Sequence, residues 1–311
     1  MIAVGIDIGT NTALMVVASI THEARVEILH DVHELPRLGE GLDHHGMISD
    51  AARDRARSAV ERFRTVIADA TAGESLHVVH AVATSALREA NNGDVVRREL
   101  ESILGWPITV ISGNEEAELT YFGAVGHHEP SASMIDIGGG STEFVAGRFG
   151  ELQYRISTSL GVVRCMERYV SKHPVTTLAQ DEIRAHVRRE LEPHADKLSG
   201  SSVLVGTAGT PTALAMIDLE LPAYDASLID GHNLSLRRID ELAAWLCMQT
   251  REELCAIPGL DARRADIVPI GAIILSESMH ILGYNSLRVS TRGLRHGALE
   301  RAIQQYESPL E

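Results

Sequence analysis

The feature that most limits how this chain can fold is a short motif that occurs twice. One copy, VGIDIGTNTALMVV, begins at Val4, and the other, SMIDIGGGSTEFVAG, begins at Ser133. In each copy an apolar run ends near an Asp, a turn of Gly and hydroxyl residues follows, and a second apolar run begins. Two apolar runs around a tight turn predict a hairpin of strands. The repeat, at a period of about 130 residues, predicts an internal duplication of an α/β unit.

The rest of the pattern agrees with a duplication. Both halves are predicted to open with two or three hairpin-connected strands and to continue with alternating helices and strands. In the second half, helical regions are predicted over residues 161–197 and 235–255.

The sequence therefore predicts two domains. A length of 311 residues suits two cores better than one. The polar segment GHHEPSAS, which contains Pro130, marks the predicted boundary. The first domain is predicted to span residues 1–127 and to be joined by a C-terminal helix at about residues 298–311. The second is predicted to span residues 128–297.

Composition excludes several classes of protein. The net charge of -15 at pH 7 argues against nucleic-acid binding, which needs a basic surface. No apolar run approaches the ~20 residues of a membrane span, and no basic region precedes the first apolar run, so neither a membrane anchor nor a signal peptide is predicted. Cys165, Cys247 and Cys255 match no metal-binding spacing, so we expect reduced thiols in a cytoplasmic protein.

The repeated turns differ from the common nucleotide-binding loops. DIGGGSTEFVAG runs into a second apolar strand rather than a helix, and no G-x-x-x-x-G-K-[ST] is present. The turns still suit phosphate, because Gly lets successive N–H groups point into one concavity and the hydroxyls add donors. A third turn, VGTAGTPTAL from Val205, enters a helix whose N-terminus favours anions. The predicted phosphate-binding residues are Thr10, Asn11, Thr12, Gly138, Gly139, Gly140, Ser141, Thr142, Gly206, Thr207, Ala208, Gly209 and Thr210.

Carboxylates accompany the two repeated turns. An Asp at the end of the first strand of each half is placed to hold a hydrated divalent cation, which would neutralise phosphate oxygens. Asp7 and Asp136, together with Glu143, which follows the second turn, are the predicted metal ligands, and Mg²⁺ or Mn²⁺ is the predicted cofactor.

Several motifs together carry a resemblance to a known family. They are DIGTNT, RLGEGL, ATSALREA, ISGNEEAEL, DIGGGSTE, GTAGT and STRGLRHGAL, and they span nearly the whole chain in family order. The chain resembles the exopolyphosphatase and guanosine pentaphosphate phosphohydrolase (Ppx/GppA) family, in its short form without an appended HD phosphohydrolase domain. The resemblance implies two duplicated RNase H-like α/β domains of the actin, sugar kinase and heat-shock ATPase superfamily, with an interdomain cleft.

The segment ISGNEEAELTYFG contains the candidate general base. A helix is predicted to begin near Asn114, which puts Glu115 and Glu116 in its first turn, where the helix dipole favours the ionised carboxylate. An ionised carboxylate can accept a proton from water. The resemblance implies that Glu116 is the catalytic base, whereas Glu115 is expected to serve the helix start.

The resemblance also implies that two arginines contact substrate phosphate. Arg88 follows a buried strand in ATSALREA, where a guanidinium could fork two phosphate oxygens. Arg295 lies in TRGLRHG, where the family's run reads closer to D-G-A-L-R-E-G. The family pattern therefore supports Arg295 but not its acidic neighbours.

The resemblance implies a metal-dependent hydrolase of phosphoric anhydrides. Our first hypothesis is an exopolyphosphatase that removes the terminal phosphate of inorganic polyphosphate. Hydrolysis of the 5′-phosphate of guanosine pentaphosphate (pppGpp) stays open, because the motifs belong to both activities. The E-E-A segment disfavours an ATPase or sugar kinase, and intact Glu116 disfavours a noncatalytic polyphosphate or alarmone sensor. Polyphosphate or pppGpp is the expected partner, a homodimer stays open, and neither nucleic acid nor membrane is expected.

Overall fold

The computed structural model describes residues 1–21, 25–71 and 77–307. The chain forms two compact units: unit 1 is Met1–Gly123 with Leu294–Glu311, and unit 2 is Ala124–Gly293. The domain boundaries predicted from the sequence stay a prediction. The end of the predicted C-terminal helix, residues 308–311, lies outside the described residues.

The elements are numbered in chain order. The strands are β1 (Ile2–Ile8), β2 (Ala13–Ile20), β3 (Val26–Glu34), β4 (His77–Ala83), β5 (Ile108–Val110), β6 (Ala132–Ile137), β7 (Thr142–Arg148), β8 (Glu151–Thr158), β9 (Val203–Thr207), β10 (Asn233–Ser235) and β11 (Ser286–Val289). The helices are α1 (Leu42–His45), α2 (Asp50–Ala70), α3 (Ser85–Glu89), α4 (Gly93–Leu104), α5 (Gly113–Val125), α6 (Val162–Tyr169), α7 (Thr177–Leu191), α8 (Ala195–Leu198), α9 (Gly209–Asp218), α10 (Ala226–Ile229), α11 (Leu236–Cys247), α12 (Arg251–Cys255), α13 (Val268–Leu282) and α14 (Leu294–Glu307), with a 3₁₀ turn at Glu192–His194.

The sheet of unit 1 has the strand order β3-β2-β1-β4-β5. β1, β2 and β3 form an antiparallel meander, whereas β4 is parallel to β1 and β5 is parallel to β4. A tight turn is enough to join antiparallel neighbours, while parallel strands need longer crossovers. Here α2 lies in the connection between β3 and β4, and α3 and α4 lie between β4 and β5.

The sheet of unit 2 repeats this arrangement. Its order is β10-β11-β9-β6-β7-β8, so β6, β7, β8, β9 and β11 take the places of β1 to β5. β6 to β8 form an antiparallel meander, β9 is parallel to β6, and β11 is parallel to β9. β10 is an additional antiparallel edge strand. Both sheets have the strand order of an RNase H-like fold, which confirms the predicted duplicated α/β architecture.

Each unit contains a long helix with many packing contacts. In unit 1 this helix packs against the sheet, and in unit 2 it packs mainly against other helices. In unit 1, α14 packs against β1 and β4. Gly5 permits this approach, because a Cβ there would lie 2.1 Å from the Arg295 carbonyl oxygen. In unit 2, α13 packs against α7 and α11 and is buried along most of its length, which explains why it is apolar nearly throughout. No helix in the described part of the chain is long and apolar enough to cross a membrane.

Two predicted helical regions are interrupted. Residues 161–197 form α6, α7 and α8. Pro174, between α6 and α7, lacks an N–H group and disfavours helix at the residue before it, and the 3₁₀ turn at Glu192–His194 separates α7 from α8. Thr176 then caps the start of α7. Residues 235–255 form α11 and α12, with a capping box at Thr250 that starts the second helix.

Candidate functional site

Unit 1 brings several predicted site residues to one edge of its sheet. β1, β4 and β5 are parallel, so their carboxyl ends lie at the same edge, which is where open α/β sheets bind ligands. Asp7 lies near the end of β1, Arg88 lies in α3 directly after β4, and Glu116 lies in the first turn of α5, after β5.

The turn after β1 is held by the loop that follows β3. The Gly9 N–H donates to the Thr12 carbonyl at 2.8 Å and closes the turn. The Thr10 carbonyl accepts the Gly39 N–H at 2.8 Å, and the Asn11 carbonyl accepts an N–H from the same loop. The Asn11 side chain is buried, and its Oδ1 accepts no hydrogen bond from the described residues. The turn is therefore held by backbone hydrogen bonds and has acceptor capacity left.

Glu116 and Arg88 form an ion pair within unit 1. Arg88 Nη1 donates to Glu116 Oε2 at 3.2 Å and to the Ile111 carbonyl at 2.8 Å. The Glu116 side chain is only 10% exposed. Arg88 thus orients a buried carboxylate and stabilises its ionised form.

The neighbouring Glu115 has a different role. Its Oε2 accepts hydrogen bonds from the Ser112 N–H at 2.9 Å and the Ser112 hydroxyl at 2.8 Å. The Glu115 N–H in turn donates to the Ser112 hydroxyl at 3.3 Å, which completes a capping box at the start of α5. The backbone and side-chain hydrogen bonds from Ser112 lower the pKa of Glu115. The two adjacent glutamates therefore have different roles: Glu115 caps the start of α5, and Glu116 pairs with Arg88.

Arg295 has a structural partner in unit 1. Its Nε and Nη2 donate to the two carboxylate oxygens of Asp31 on β3, both at 2.8 Å, and the residue is 4% exposed. Burial alone would raise the pKa of Asp31, but hydrogen bonds from His33 and Arg295 outweigh it and hold that pKa well below its usual range. The pair attaches α14 to β3. The predicted substrate contact of Arg295 stays a prediction.

Unit 2 contains the second copy of the turn, after β6. The Gly138 N–H donates to the Ser141 carbonyl at 3.0 Å, as in the first turn. The carbonyls of Gly138 and Gly139 accept N–H groups of Val162 and Val163, at 3.0 and 2.9 Å. The first turn of α6 therefore holds this copy.

The packing behind the second turn is close. A Cβ on Gly161 would lie 2.2 Å from the Gly139 carbonyl oxygen, so only Gly fits there. Thr142, a predicted phosphate-binding residue, is fully buried, and its hydroxyl donates to the Leu160 carbonyl at 2.6 Å. The Thr142 hydroxyl is therefore committed to holding the loop, whereas Ser141 lies at the turn itself.

Asp136 and Glu143 face each other across β6 and β7. They are directly paired residues of antiparallel strands, so their side chains project from the same face. Glu143 is 1% exposed and accepts the Ser157 hydroxyl at 2.6 Å. Two carboxylates on one face of the sheet, one of them oriented by Ser157, fit Mg²⁺, which takes few carboxylates and completes its shell with water and phosphate oxygens. Within 1–21, 25–71 and 77–307, no group of three or more His, Cys, Asp or Glu residues could hold a metal ion, and the ligand set that includes Asp7 stays a prediction.

The third turn lies at the carboxyl end of β9, parallel to β6. The Thr207 hydroxyl donates to the Arg292 carbonyl, and α9 begins at Gly209. Ala208 has a φ of 68°, a left-handed conformation that costs a non-Gly residue about 1–3 kcal/mol and concentrates at functional sites. Thr210 is buried at the helix start. The predicted phosphate turn therefore has a strained, fixed backbone.

Sequence reasoning missed Arg264, which lies against this turn. A Cβ on Gly209 would lie 1.3 Å from Arg264 Nη2, so the guanidinium occupies the space beside the first residue of α9. Burial lowers the pKa of Arg264. A cation at this place adds positive charge to a turn predicted to bind phosphate. The only sequence signal was the Gly that leaves room for it, more than fifty residues earlier in the chain.

Comparisons with known proteins agree with these features. The profile of the Ppx/GppA phosphatase family matches residues 16–305. Exopolyphosphatase 2 of Mycobacterium tuberculosis is 33% identical over 94% of this chain and 95% of its own. The crystal structure of an exopolyphosphatase from Cytophaga hutchinsonii has a TM-score of 0.88 at 28% identity, covering 98% of each chain. The Aquifex aeolicus Ppx/GppA family member, at 23% identity and 99% coverage of each chain, has the same fold, with a TM-score of 0.81.

The family match covers most of both units and includes the second turn, Arg88 and Glu116, whereas the first turn precedes its start at residue 16. A family profile over nearly the whole chain and a relative of this identity establish kinship without depending on any single motif. The chain belongs to the Ppx/GppA phosphatase family.

Proposed function

We propose that the protein is an exopolyphosphatase that hydrolyses the terminal phosphoric anhydride of inorganic polyphosphate, with water activated by Glu116. The observation that carries the proposal is the buried Glu116 carboxylate paired with Arg88 at the carboxyl edge of the unit 1 sheet. Relatives named exopolyphosphatase, at 33% and 28% identity, support the substrate class.

Glu116 acts as the general base in this proposal. A base must be ionised before it can take a proton from water, and Arg88 favours the ionised carboxylate. Arg88 keeps further guanidinium donors for a phosphate oxygen, because only Nη1 is used by Glu116 and Ile111. Binding a phosphate through Arg88 would leave the Glu116 carboxylate oriented toward the attacking water.

The three turns bind phosphate oxygens in this proposal. Their backbone N–H groups and the side chains of Thr12, Ser141 and Thr210 are the donors. The hydroxyls of Thr142 and Thr207 donate to backbone carbonyls, so these two residues act by shaping their turns. Arg264, beside the third turn, supplies local positive charge in a chain whose net charge is -15.

Asp136 and Glu143, with Asp7 as the third candidate, are the residues that would hold Mg²⁺ or Mn²⁺. When bound, the cation would neutralise charge on the phosphoryl oxygens. Ser157 fixes the Glu143 carboxylate by donating its hydroxyl, so the chain itself orients one ligand in advance.

The test is phosphate release from long-chain polyphosphate, short polyphosphate, pppGpp and ATP, with Mg²⁺ present. We expect wild type to release phosphate from polyphosphate, and Glu116→Gln to lose at least about 100-fold in rate, the usual contribution of a general base. Glu115→Gln is the matched control, because Gln also serves in a capping box and the rate should stay near wild type.

The outcomes separate the hypotheses. Release from pppGpp alone would move the assignment to pppGpp 5′-phosphohydrolase. Binding without release from any of the four compounds would make the protein a sensor. A Glu116→Gln variant with a near-normal rate would contradict the base assignment and leave the substrate assignment intact.

A further inference from the structure

Unit 2 has a polar cavity of about 420 Å³ over the middle of α13, between α7 and α11. Its polar lining residues are Arg184 and Arg188 on α7, Asp240 on α11, and Ser276, Glu277 and His280 on α13. None of them belongs to the candidate site described above. A volume of this size is in the range of small-molecule sites.

One side of the cavity has an excess of positive charge. Glu277 is 9% exposed in its side chain and accepts Arg188 Nε at 2.6 Å, while Arg184 Nε lies 3.7 Å away. Arg184 and Arg188 are four residues apart on α7 and so share a face. Among the residues that line this part of the cavity, two guanidiniums therefore surround one buried carboxylate.

The same arginines keep unused donors. Within the part of the chain that the structure describes, the only hydrogen bond of these two guanidiniums is the one from Arg188 to Glu277. Arg184 Nη1 lies 3.9 Å from Asp181, too far for a hydrogen bond. A guanidinium has five N–H donors in a planar fork that matches phosphate oxygens. This side of the cavity is therefore equipped for a small anion.

The other side of the cavity is acidic. Asp240 accepts the Ser276 hydroxyl at 2.6 Å and His280 Nε2 at 3.1 Å, which fixes its carboxylate. A carboxylate with two oxygens can accept more than these bonds, and it suits a hydroxyl group of a ligand. It would repel a second anionic group, so a long polyanion does not fit this cavity.

We infer that this cavity binds a small phosphomonoester that also carries hydroxyl groups. Its phosphate lies on Arg184 and Arg188, and a hydroxyl donates to Asp240. The inference is independent of the proposed function, because the cavity is separate from the turns. The first turn of α13 contacts Thr210 through Gly271, and Glu277 lies about 9 Å further along the helix axis.

The experiment is isothermal titration of the full chain with glycerol 3-phosphate, inorganic phosphate and glycerol. We expect glycerol 3-phosphate to bind more tightly than phosphate and glycerol not to bind. Arg188→Gln should weaken the binding of glycerol 3-phosphate at least about tenfold, because a charge-assisted hydrogen bond is lost. Asp240→Asn should reduce the advantage of glycerol 3-phosphate over inorganic phosphate.

The matched control is Arg189→Gln, which removes the same charge from an exposed neighbour on α7 that does not line the cavity. It should leave binding unchanged. Arg188→Lys keeps the charge but loses the fork, and should weaken binding even if Arg188→Gln folds poorly. Because the turns are also expected to bind phosphate, a Ser141→Ala variant should keep the Arg188-dependent component. No Arg188-dependent binding up to about 1 mM ligand, or equal losses in Arg188→Gln and Arg189→Gln, would overturn the inference.

Discussion

The two hairpin turns have nearly the same internal geometry but different supports. The Gly9 N–H donates to the Thr12 carbonyl at 2.8 Å, and the Gly138 N–H donates to the Ser141 carbonyl at 3.0 Å. A Cβ on either Gly would lie 3.1 Å from that carbonyl oxygen. In unit 1 the turn is then held by N–H groups of the loop around Gly39, and in unit 2 by N–H groups of α6. The turn shape is local, whereas its support comes from distant parts of the chain.

The side chains at the two sheet edges have diverged further than the backbones. The unit 1 edge carries an acid and a guanidinium, Glu116 and Arg88, in contact. The unit 2 edge carries the paired carboxylates Asp136 and Glu143, with Arg264 against the third turn. Duplication thus produced one backbone arrangement twice, and the two copies now offer different chemistry. The turns and edges are therefore not interchangeable, and the following changes test that difference.

The largest expected effect is on the support of the second turn. Gly161→Ala places a methyl group 2.2 Å from backbone atoms of Gly139 and Gly140, which cannot move without opening the turn. We expect a loss of about 3 kcal/mol in the free energy of unfolding, or a failure to fold, by analogy with severe overpacking. Urea unfolding measures it. Gly138→Ala is the matched control, since its methyl meets only one atom, at 3.1 Å. Equal midpoints for the two variants would contradict the close packing.

The second effect concerns how unit 1 attaches its covering helix. Asp31→Asn replaces the carboxylate that pairs with the buried Arg295 guanidinium by a neutral amide, and weakening a buried ion pair is costly. Because the Asp31 side chain is 35% exposed, we expect about 2 kcal/mol rather than the full cost of a buried pair. Arg295→Met should cost less, because Asp31 can then be hydrated. Urea unfolding of both variants measures these losses. Phosphate release, measured on the folded fraction, tests whether Arg295 contacts substrate, and a folded Arg295→Met variant with a normal KM would exclude that role.

The third effect is a pH dependence of the same pair. The pKa of Asp31 is lowered in the folded protein. The ionised Asp31 therefore contributes fully to the free energy of unfolding above its unfolded pKa near 3.8, and this contribution is lost progressively as the pH falls below that value. By pH 3 the stability advantage of wild type over Asp31→Asn should have narrowed by at most about 1 kcal/mol. Thermal melts of both proteins at pH 7 and pH 3 measure the gap. A gap that widens at pH 3 would show that the sign is wrong.

The comparison also shows which parts of the fold could be predicted from the sequence. Each hairpin turn is specified by neighbouring residues, so DIGTNT and DIGGGST were enough to predict strands, turns and duplication. Pro174 alone predicts a break in the helix, whereas the helical pattern on both sides of it predicts a continuous helical region. Local patterns give little information about which distant element supports a turn.

In the candidate site, too, local sequence predicts where residues lie better than it predicts which distant residues they contact. Glu115 and Glu116 are adjacent acids in one helical turn, and their different roles depend on Ser112 and on Arg88, the latter 28 residues away. The pairing of Arg295 with Asp31 spans 264 residues, and no periodicity in either segment indicates it. The position of Arg264 was not predicted, because the sequence shows only that Gly209 lacks a side chain and not which residue fills the space beside it. Side-chain roles that depend on tertiary contacts therefore needed the structure or the family resemblance.

The smallest expected effect is on the support of the first turn, and it separates the two supports most cleanly. Gly39→Ala places a methyl group 2.2 Å from Cγ2 of Thr10, which is a side-chain methyl rather than backbone. A side chain can shift, so we expect a loss of only about 1 kcal/mol. Thr10→Ser removes that methyl and keeps the hydroxyl, so the double variant should recover most of the loss in urea unfolding. Coupling of this kind is expected between residues in contact. No single side-chain deletion can rescue Gly161→Ala, because its obstacle is the backbone of the turn itself. If Thr10→Ser fails to rescue Gly39→Ala, the loop around Gly39 must be as tightly fixed to its turn as α6 is, and the two supports would be equivalent after all.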